Sequence, residues 1–217
     1  MTPAPESYAA VAAAARRLAD EGLVVGSAGN VSLRVGAAVL VTASGVDLST
    51  CGADDVVLLG SGRGRPTSEV DLHLGVQADT GATAVVHTHA PYSTAVACVL
   101  DELPVLHYQQ MLLGGAVRVA PYATFGTPEL AAHVRAALAG RSAALMANHG
   151  SVAVGATLDE AVERALLLEW LAALHHRVAV LGAPRLLTAT QQHDVVVAAL
   201  TRGYGRTDPS TSTGGAE

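Results

Sequence analysis

The apolar run Ala84-Val85-Val86 leads straight into His87-Thr88-His89, and this junction limits the possible folds more than any other part of the chain. A short apolar run bounded by turn residues reads as a buried strand. Residues two apart on a strand point to the same face. Both imidazoles therefore project together, as two ligands of one metal ion must. His149 closes a second apolar run, Ala143-Ala144-Leu145-Met146-Ala147, which also reads as a strand. Glu69 follows Pro66-Thr67-Ser68 at a predicted helix start. Three histidines and one carboxylate, on strand ends and a helix mouth, make a candidate Zn2+ site, and Mn2+ or Co2+ could use similar ligands. His-x-His alone is weakly specific. The third histidine at another strand end sets the pattern apart from ordinary hydrogen-bonded structural histidines.

All 13 basic residues are arginines, and there is no lysine. A Schiff-base mechanism needs a lysine amine, so carbonyl activation in this chain would fall to a metal. The 217 residues suffice for one substantial core. Half of them are hydrophobic, yet no apolar run reaches 18 residues, so no membrane-spanning helix is expected. A formal net charge of -6 without a basic stripe argues against nucleic acid as a partner. Residues 1–6 lack the pattern of a secretory signal. Cys51 and Cys98 lack metal-motif spacing and read as buried small apolar residues. A cytoplasmic protein is expected.

Predicted helices cover Ser7–Glu21, Glu69–Ala78 (capped by Thr67 or Ser68), Pro91–Leu100, a segment from Thr127-Pro128-Glu129 to Gly140, a long segment to Leu181, and Thr190–Arg202. The long helix opens on a capping box, Thr157-Leu158-Asp159-Glu160. Predicted strands cover Val31–Arg34, Val39–Thr42, Val56–Leu59, the His87 run, Val117–Ala120, the His149 run and Val152–Val154. Several strands are joined by short turns, which argues for antiparallel pairs covered by helices. One domain over residues 1–206 is the simplest organisation, with 207–217 a disordered tail.

His133, His175, His176 and His193 fall on predicted helices, where solvated or interfacial roles suffice. His73, one turn after Glu69, suits either support of that carboxylate or plain packing, and His107 is undecided. Gly29-Asn30, Ser44-Gly45 and Thr67-Ser68 look like parts of an anion cradle, the last at a helix N-terminus. Each alone is also what turn and cap chemistry produces, so their meaning depends on convergence in space.

Several ordered segments resemble the class II aldolases of the L-fuculose-1-phosphate aldolase type. They are Gly29-Asn30-Val31-Ser32, Thr42-Ala43-Ser44-Gly45, Pro66-Thr67-Ser68-Glu69, Val86-His87-Thr88-His89, His107-Tyr108, the stretch Ala120-Pro121-Tyr122-Ala123-Thr124-Phe125-Gly126-Thr127, and Asn148-His149-Gly150. The resemblance runs from the first helix to about Tyr204. It implies an α/β three-layer sandwich with a mainly antiparallel sheet, and a C4 homotetramer with sites at subunit interfaces. It also implies a sugar phosphate substrate, a ketose 1-phosphate such as L-fuculose 1-phosphate or a deoxypentulose 1-phosphate. Cleavage would give dihydroxyacetone phosphate and an aldehyde.

By the same resemblance, His87, His89 and His149 bind zinc, and Glu69 is both fourth ligand and acid/base. Gly29, Asn30, Ser44, Gly45, Thr67 and Ser68 hold phosphate. Tyr108 donates a proton from the adjacent subunit, and Phe125 and Tyr204 shape the aldehyde end. The Thr67-Ser68 pair stands where such aldolases often have two serines. Related pentulose 5-phosphate 4-epimerases usually carry aspartate at the position of Glu69, which favours the aldolase. Methylthioribulose-1-phosphate dehydratases, sugar-acid phosphate decarboxylases and adducin-like scaffolds are further relatives, and the scaffolds lack the metal ligands this chain retains.

Overall fold

The computed structural model describes residues 2–202. Tyr204 and the tail expected over 207–217 lie outside the described residues. The chain forms α1 (Pro5–Asp20), β1 (Asn30–Val35), β2 (Ala38–Thr42), β3 (Val56–Leu58), α2 (Val70–Thr80), β4 (Ala84–Thr88) and α3 (Pro91–Ala97). It continues with β5 (Glu102–Leu103), β6 (Val117–Ala120), α4 (Pro128–Leu138), β7 (Ala143–Met146), β8 (Gly150–Gly155), α5 (Leu158–Leu181) and α6 (Ala189–Arg202). Prolines open α1, α3 and α4, where a missing N–H costs nothing. None of the described helices is long and apolar enough to cross a membrane.

The strands make one sheet in the order β3-β2-β1-β4-β8-β7-β6-β5. Neighbours are antiparallel except β6 and β7, which α4 connects as a crossover. Strand alternation divides the core between the two faces. Ala84, Val86, Leu145 and Ala153 pack with residues of α1, α3 and α5. Val85, Ala144, Met146, Val152 and Val154 pack with Leu72 and Val76 of α2 and with α4. The result is the expected three-layer α/β sandwich. β4, β7 and β8 are buried along their whole length, which is why Ala84–Val86, Ala143–Met146 and Val152–Val154 are apolar at successive positions and not at alternate ones.

Register places the first site residues. Asn30 lies opposite His87 and Ser32 opposite Val85. Opposed side chains of an antiparallel pair share a face, so Asn30, Ser32 and His87 all point toward α2.

Several local expectations need correction. His149 is not on a strand. β7 stops at Met146, and His149 sits in the turn before β8, after Asn148 with φ +55°. Asparagine tolerates that left-handed conformation better than most residues. Neither Thr67 nor Ser68 caps α2; Glu69 occupies the cap position. The Thr67 hydroxyl instead accepts the Glu69 N–H at 3.3 Å, a local turn that leaves the carboxylate free. The capping box of α5 is shifted: Thr157 accepts the Glu160 N–H at 3.1 Å, but the Glu160 carboxylate reaches Ala156 N–H. Strand β5 was unexpected, being only two residues long. Cys51 is buried, but Cys98 is exposed because α3 ends just before it.

Candidate metal centre and its cleft

His87 is the last but one residue of β4 and His89 comes just after the strand, its N–H held by the Leu23 carbonyl at 3.0 Å. The β7–β8 turn brings His149 over them. Glycine is required at Gly150 because a Cβ there would lie 2.2 Å from the Thr88 carbonyl oxygen. The three rings stand edge to face, with centroids 4.7–4.9 Å apart. One nitrogen from each lies within 4.8 Å of the others, and the Nε2 atoms of His87 and His89 are 2.9 Å apart. His87 Nδ1 lies 2.9 Å from the Ser151 carbonyl. A carbonyl only accepts, so Nδ1 carries a proton and Nε2 is the nitrogen that faces the cluster, the orientation of metal-ligating histidines.

Glu69 completes the group. Its Oε2 lies 3.1 Å from His87 Nε2 and accepts from Asn30 Nδ2 at 2.9 Å. Its Oε1 is buried without a hydrogen-bond partner, 3.6 Å from His149 Nε2. An orphaned carboxylate oxygen beside three imidazoles costs free energy unless a cation satisfies it. The donor set, three nitrogens and one oxygen, fits a divalent cation.

Electrostatics point the same way. Burial alone would raise the Glu69 carboxyl, but the charge of His87, hydrogen bonds from His87 and Asn30, and the charge of His149 hold it well below the usual range. Burial, with His87 and His149 nearby, pushes His89 down to about 4. Burial also lowers His149, helped by His87. Burial works against charge on His87 too, yet the Glu69 charge and hydrogen bond and the Ser151 carbonyl outweigh it, and the net shift is upward. Two neutral imidazoles and one that keeps a proton only through Glu69 form a site where a cation can replace that proton.

The histidine cluster opens into a cleft of about 380 Å³. Gly29, Asn30, Ser44, Gly45, Thr67, Ser68 and Glu69 all line it, with His89 and His149. The three candidate cradle segments therefore converge. A Cβ on Gly29, at φ +106°, would lie 3.0 Å from the His87 carbonyl, so only glycine lets the cradle reach the metal strand. Phe125 also lines the cleft and is 66 % exposed. Tyr108 does not line it. This tyrosine opens the 3₁₀ segment Tyr108–Leu113 and borders an apolar groove against α6. His107 caps that segment, accepting the Gln109 N–H at 3.3 Å, and packs against Trp170.

Sequence reasoning missed Tyr122 and Asn148, which also line the cleft. Asn148 could be suspected from its place beside His149. Ser32 was missed as a buried partner of His73, and Gln77 as a buried partner of Ser32. The signal was present: Glu69, His73 and Gln77 are four apart, on one helix face, and Ser32 is two from Asn30 on one strand face.

The family of the Class II Aldolase and Adducin N-terminal domain matches residues 9–176. The chain is 39% identical over 206 residues to the 5-methylthioribulose-1-phosphate/5-deoxyribulose-1-phosphate aldolase of Rhodospirillum rubrum, covering 91% of this chain and 92% of that protein. It is 32% identical to the 5-deoxy-D-ribulose 1-phosphate aldolase of Bacillus thuringiensis serovar kurstaki, covering 90% of this chain and 95% of that one. Among solved structures, an L-fuculose 1-phosphate aldolase superposes with a TM-score of 0.85 at 29% identity, covering 93% of this chain and 98% of the other.

Proposed function

This chain belongs to the class II aldolase and adducin family, and from that premise we propose that it is a zinc-dependent aldolase reversibly cleaving a ketose 1-phosphate to dihydroxyacetone phosphate and an aldehyde. The observation that carries the reading is the orphaned Oε1 of Glu69 among three clustered imidazoles, at the edge of a hydroxyl-lined cleft.

His87, His89 and His149 would hold the cation, with Glu69 as fourth ligand at rest. When bound, the cation supplies Lewis acidity that favours negative charge on the substrate oxygens as the carbon–carbon bond breaks. Ser44, Thr67 and Ser68 offer hydroxyls to the phosphate, and Gly29 and Gly45 let backbone approach it; Asn30 has one amide hydrogen to add beyond its bond to Glu69. Glu69 takes and returns the proton at C3 of dihydroxyacetone phosphate. Ala123 and Phe125 bring apolar surface into the cleft lining, which suits an aldehyde with a methyl or methylthio end. That end, and the two relatives matched along nine-tenths of the chain, favour a 5-deoxypentulose 1-phosphate.

Tyr108 is read as serving the C4 oxygen in the cleft of a second copy within a C4 tetramer. Its distance from its own cleft supports this, as does the exposed apolar surface around it, which includes Leu112, Val196 and Leu200.

The test is a panel of ketose 1-phosphates with purified protein, reading dihydroxyacetone phosphate release. Release should stop with a chelator and return with zinc. Carbon dioxide or an epimerised pentulose as the sole product would overturn the reading.

A further inference from the structure

Behind the cleft runs a line of buried polar side chains, three of which, Gln77, Ser32 and His73, have no task in the proposed reaction. Gln77 Nε2 donates to Ser32 Oγ and to the Thr83 carbonyl, each at 3.1 Å. Ser32 Oγ lies 2.7 Å from His73 Nδ1. His73 Nε2 meets Asn30 Oδ1, and Asn30 Nδ2 donates to Glu69 Oε2. Ser32 and His73 are fully buried, and Gln77 and Asn30 nearly so.

The polarity of this line follows from its last member. An ionised carboxylate only accepts hydrogen bonds. Asn30 must therefore turn its amide nitrogen to Glu69 and its oxygen to His73. His73 Nε2 then carries the ring proton. A neutral imidazole has one N–H, so Nδ1 accepts and the Ser32 hydroxyl donates to it. Ser32 in turn accepts from Gln77. Every shared hydrogen in the line points toward Glu69. Burial, with the nearby charge of His87, keeps His73 neutral, its pKa lowered to about 3.

We propose that His73 is a positioning residue which, through Asn30, pins Glu69 Oε2 and so makes Oε1 the oxygen that accepts and returns the substrate proton. This rests on the aldolase reading. The proton leaves C3 of dihydroxyacetone phosphate for Oε1, while the C–H electron pair stays with the substrate. A proton on Oε2 would instead face the Asn30 N–H, two hydrogens in one gap. Without His73 the Asn30 amide can turn, and Glu69 loses its fixed orientation.

Three variants and one spectrum test this. His73→Leu should lower kcat by about 10–100-fold, the usual cost of losing support behind a metal site, with KM and bound zinc little changed. His73→Gln should recover most of that loss, because its amide can still donate to Asn30 Oδ1. In an Asn30→Ala background, His73→Leu should have no further effect on kcat. Wild-type kcat in His73→Leu, or equal losses in the Leu and Gln variants, would overturn the proposal. So would a full His73→Leu loss in the Asn30→Ala background. Should His73→Leu fail to fold, nitrogen-15 NMR of metal-free wild-type protein decides independently. His73 must show the Nε2–H tautomer, and a proton on Nδ1 would sink the argument. If wild-type protein cleaves no ketose phosphate, the aldolase reading fails, while the tautomer result still reports on the line itself.

Discussion

Replacing Glu69 with glutamine keeps the shape of the side chain and removes its charge. The structure fixes how the amide would sit. Asn30 Nδ2 donates at 2.9 Å to the present Oε2, so the glutamine oxygen takes that position. The amide nitrogen then lands where Oε1 stands, beside His149. That nitrogen can neither accept a proton nor ligate a cation. A positioned acid/base is worth about 10²–10⁴-fold, or roughly 2.7–5.4 kcal/mol in the barrier. The loss should fall on kcat, because Ser44, Thr67 and Ser68, the proposed phosphate cradle, are untouched. The assay is exchange of the C3 proton of dihydroxyacetone phosphate alone in deuterated water, followed by proton NMR on zinc-loaded protein with metal content measured alongside. Exchange should fall by the same factor while dihydroxyacetone phosphate still binds. A zinc-loaded glutamine variant that exchanges at the wild-type rate would remove Glu69 from the proton step.

The other predictions concern folding, pH and assembly. Gly150→Ala places a methyl group 2.2 Å from the Thr88 carbonyl, so β8 must shift from β4 at a cost of roughly 1–3 kcal/mol; calorimetry should show a lower Tm, and an unchanged one would contradict the close approach. Metal-free protein should lose stability in acid. Folded His73 stays neutral to about 3 while the unfolded chain binds a proton at the ordinary 6.5, so the unfolded state takes up more protons as pH falls. The histidine's contribution is complete above about 6.5 and declines by roughly 1.4 kcal/mol per pH unit below it. His89, lowered to about 4, acts in the same direction. His87, whose pKa is raised, acts in the opposite one, its contribution present below 6.5 and lost as pH climbs through its folded value. Urea unfolding of chelated protein should trace the net decline, and a His73→Gln profile as steep as wild type would refute the assignment. Finally, inactive Glu69→Gln and Tyr108→Phe chains, unfolded and refolded together, should regain activity, since random mixing rebuilds intact pairs at about a quarter of interfaces in a ring. No recovery would place Tyr108 outside the neighbour's site.

The parts of the site that sequence made legible are local ones. His87 and His89 could be read because strand period alone puts them on one face, and the apolar run fixed the strand. Glu69 could be placed near a helix mouth, but not in the cap position, because the Thr67 hydroxyl had two possible local partners. His149 was located correctly along the chain and wrongly on a strand. Asn148 carries no pattern that marks a left-handed turn, and the apolar run gave no stop before it. Convergence of Gly29, Ser44 and Thr67 depends on sheet order, which periodicity does not encode. The pairing of His73 with Ser32 depends on which face of β1 is covered by α2, a long-range fact. Tyr108 does not line the cleft of its own chain, and its proposed task in a second copy lies beyond any single-chain pattern.

The origin of the three imidazoles also constrains the order of folding. Two come from the end of β4, and the third from a turn held against them by the pairing of β8 with β4, strands far apart in the sequence. Captured zinc would act as a latch across that distant pairing rather than as a seed for it. It should therefore leave the folding rate nearly untouched and slow unfolding instead, so a bound metal would give the protein longevity more than speed.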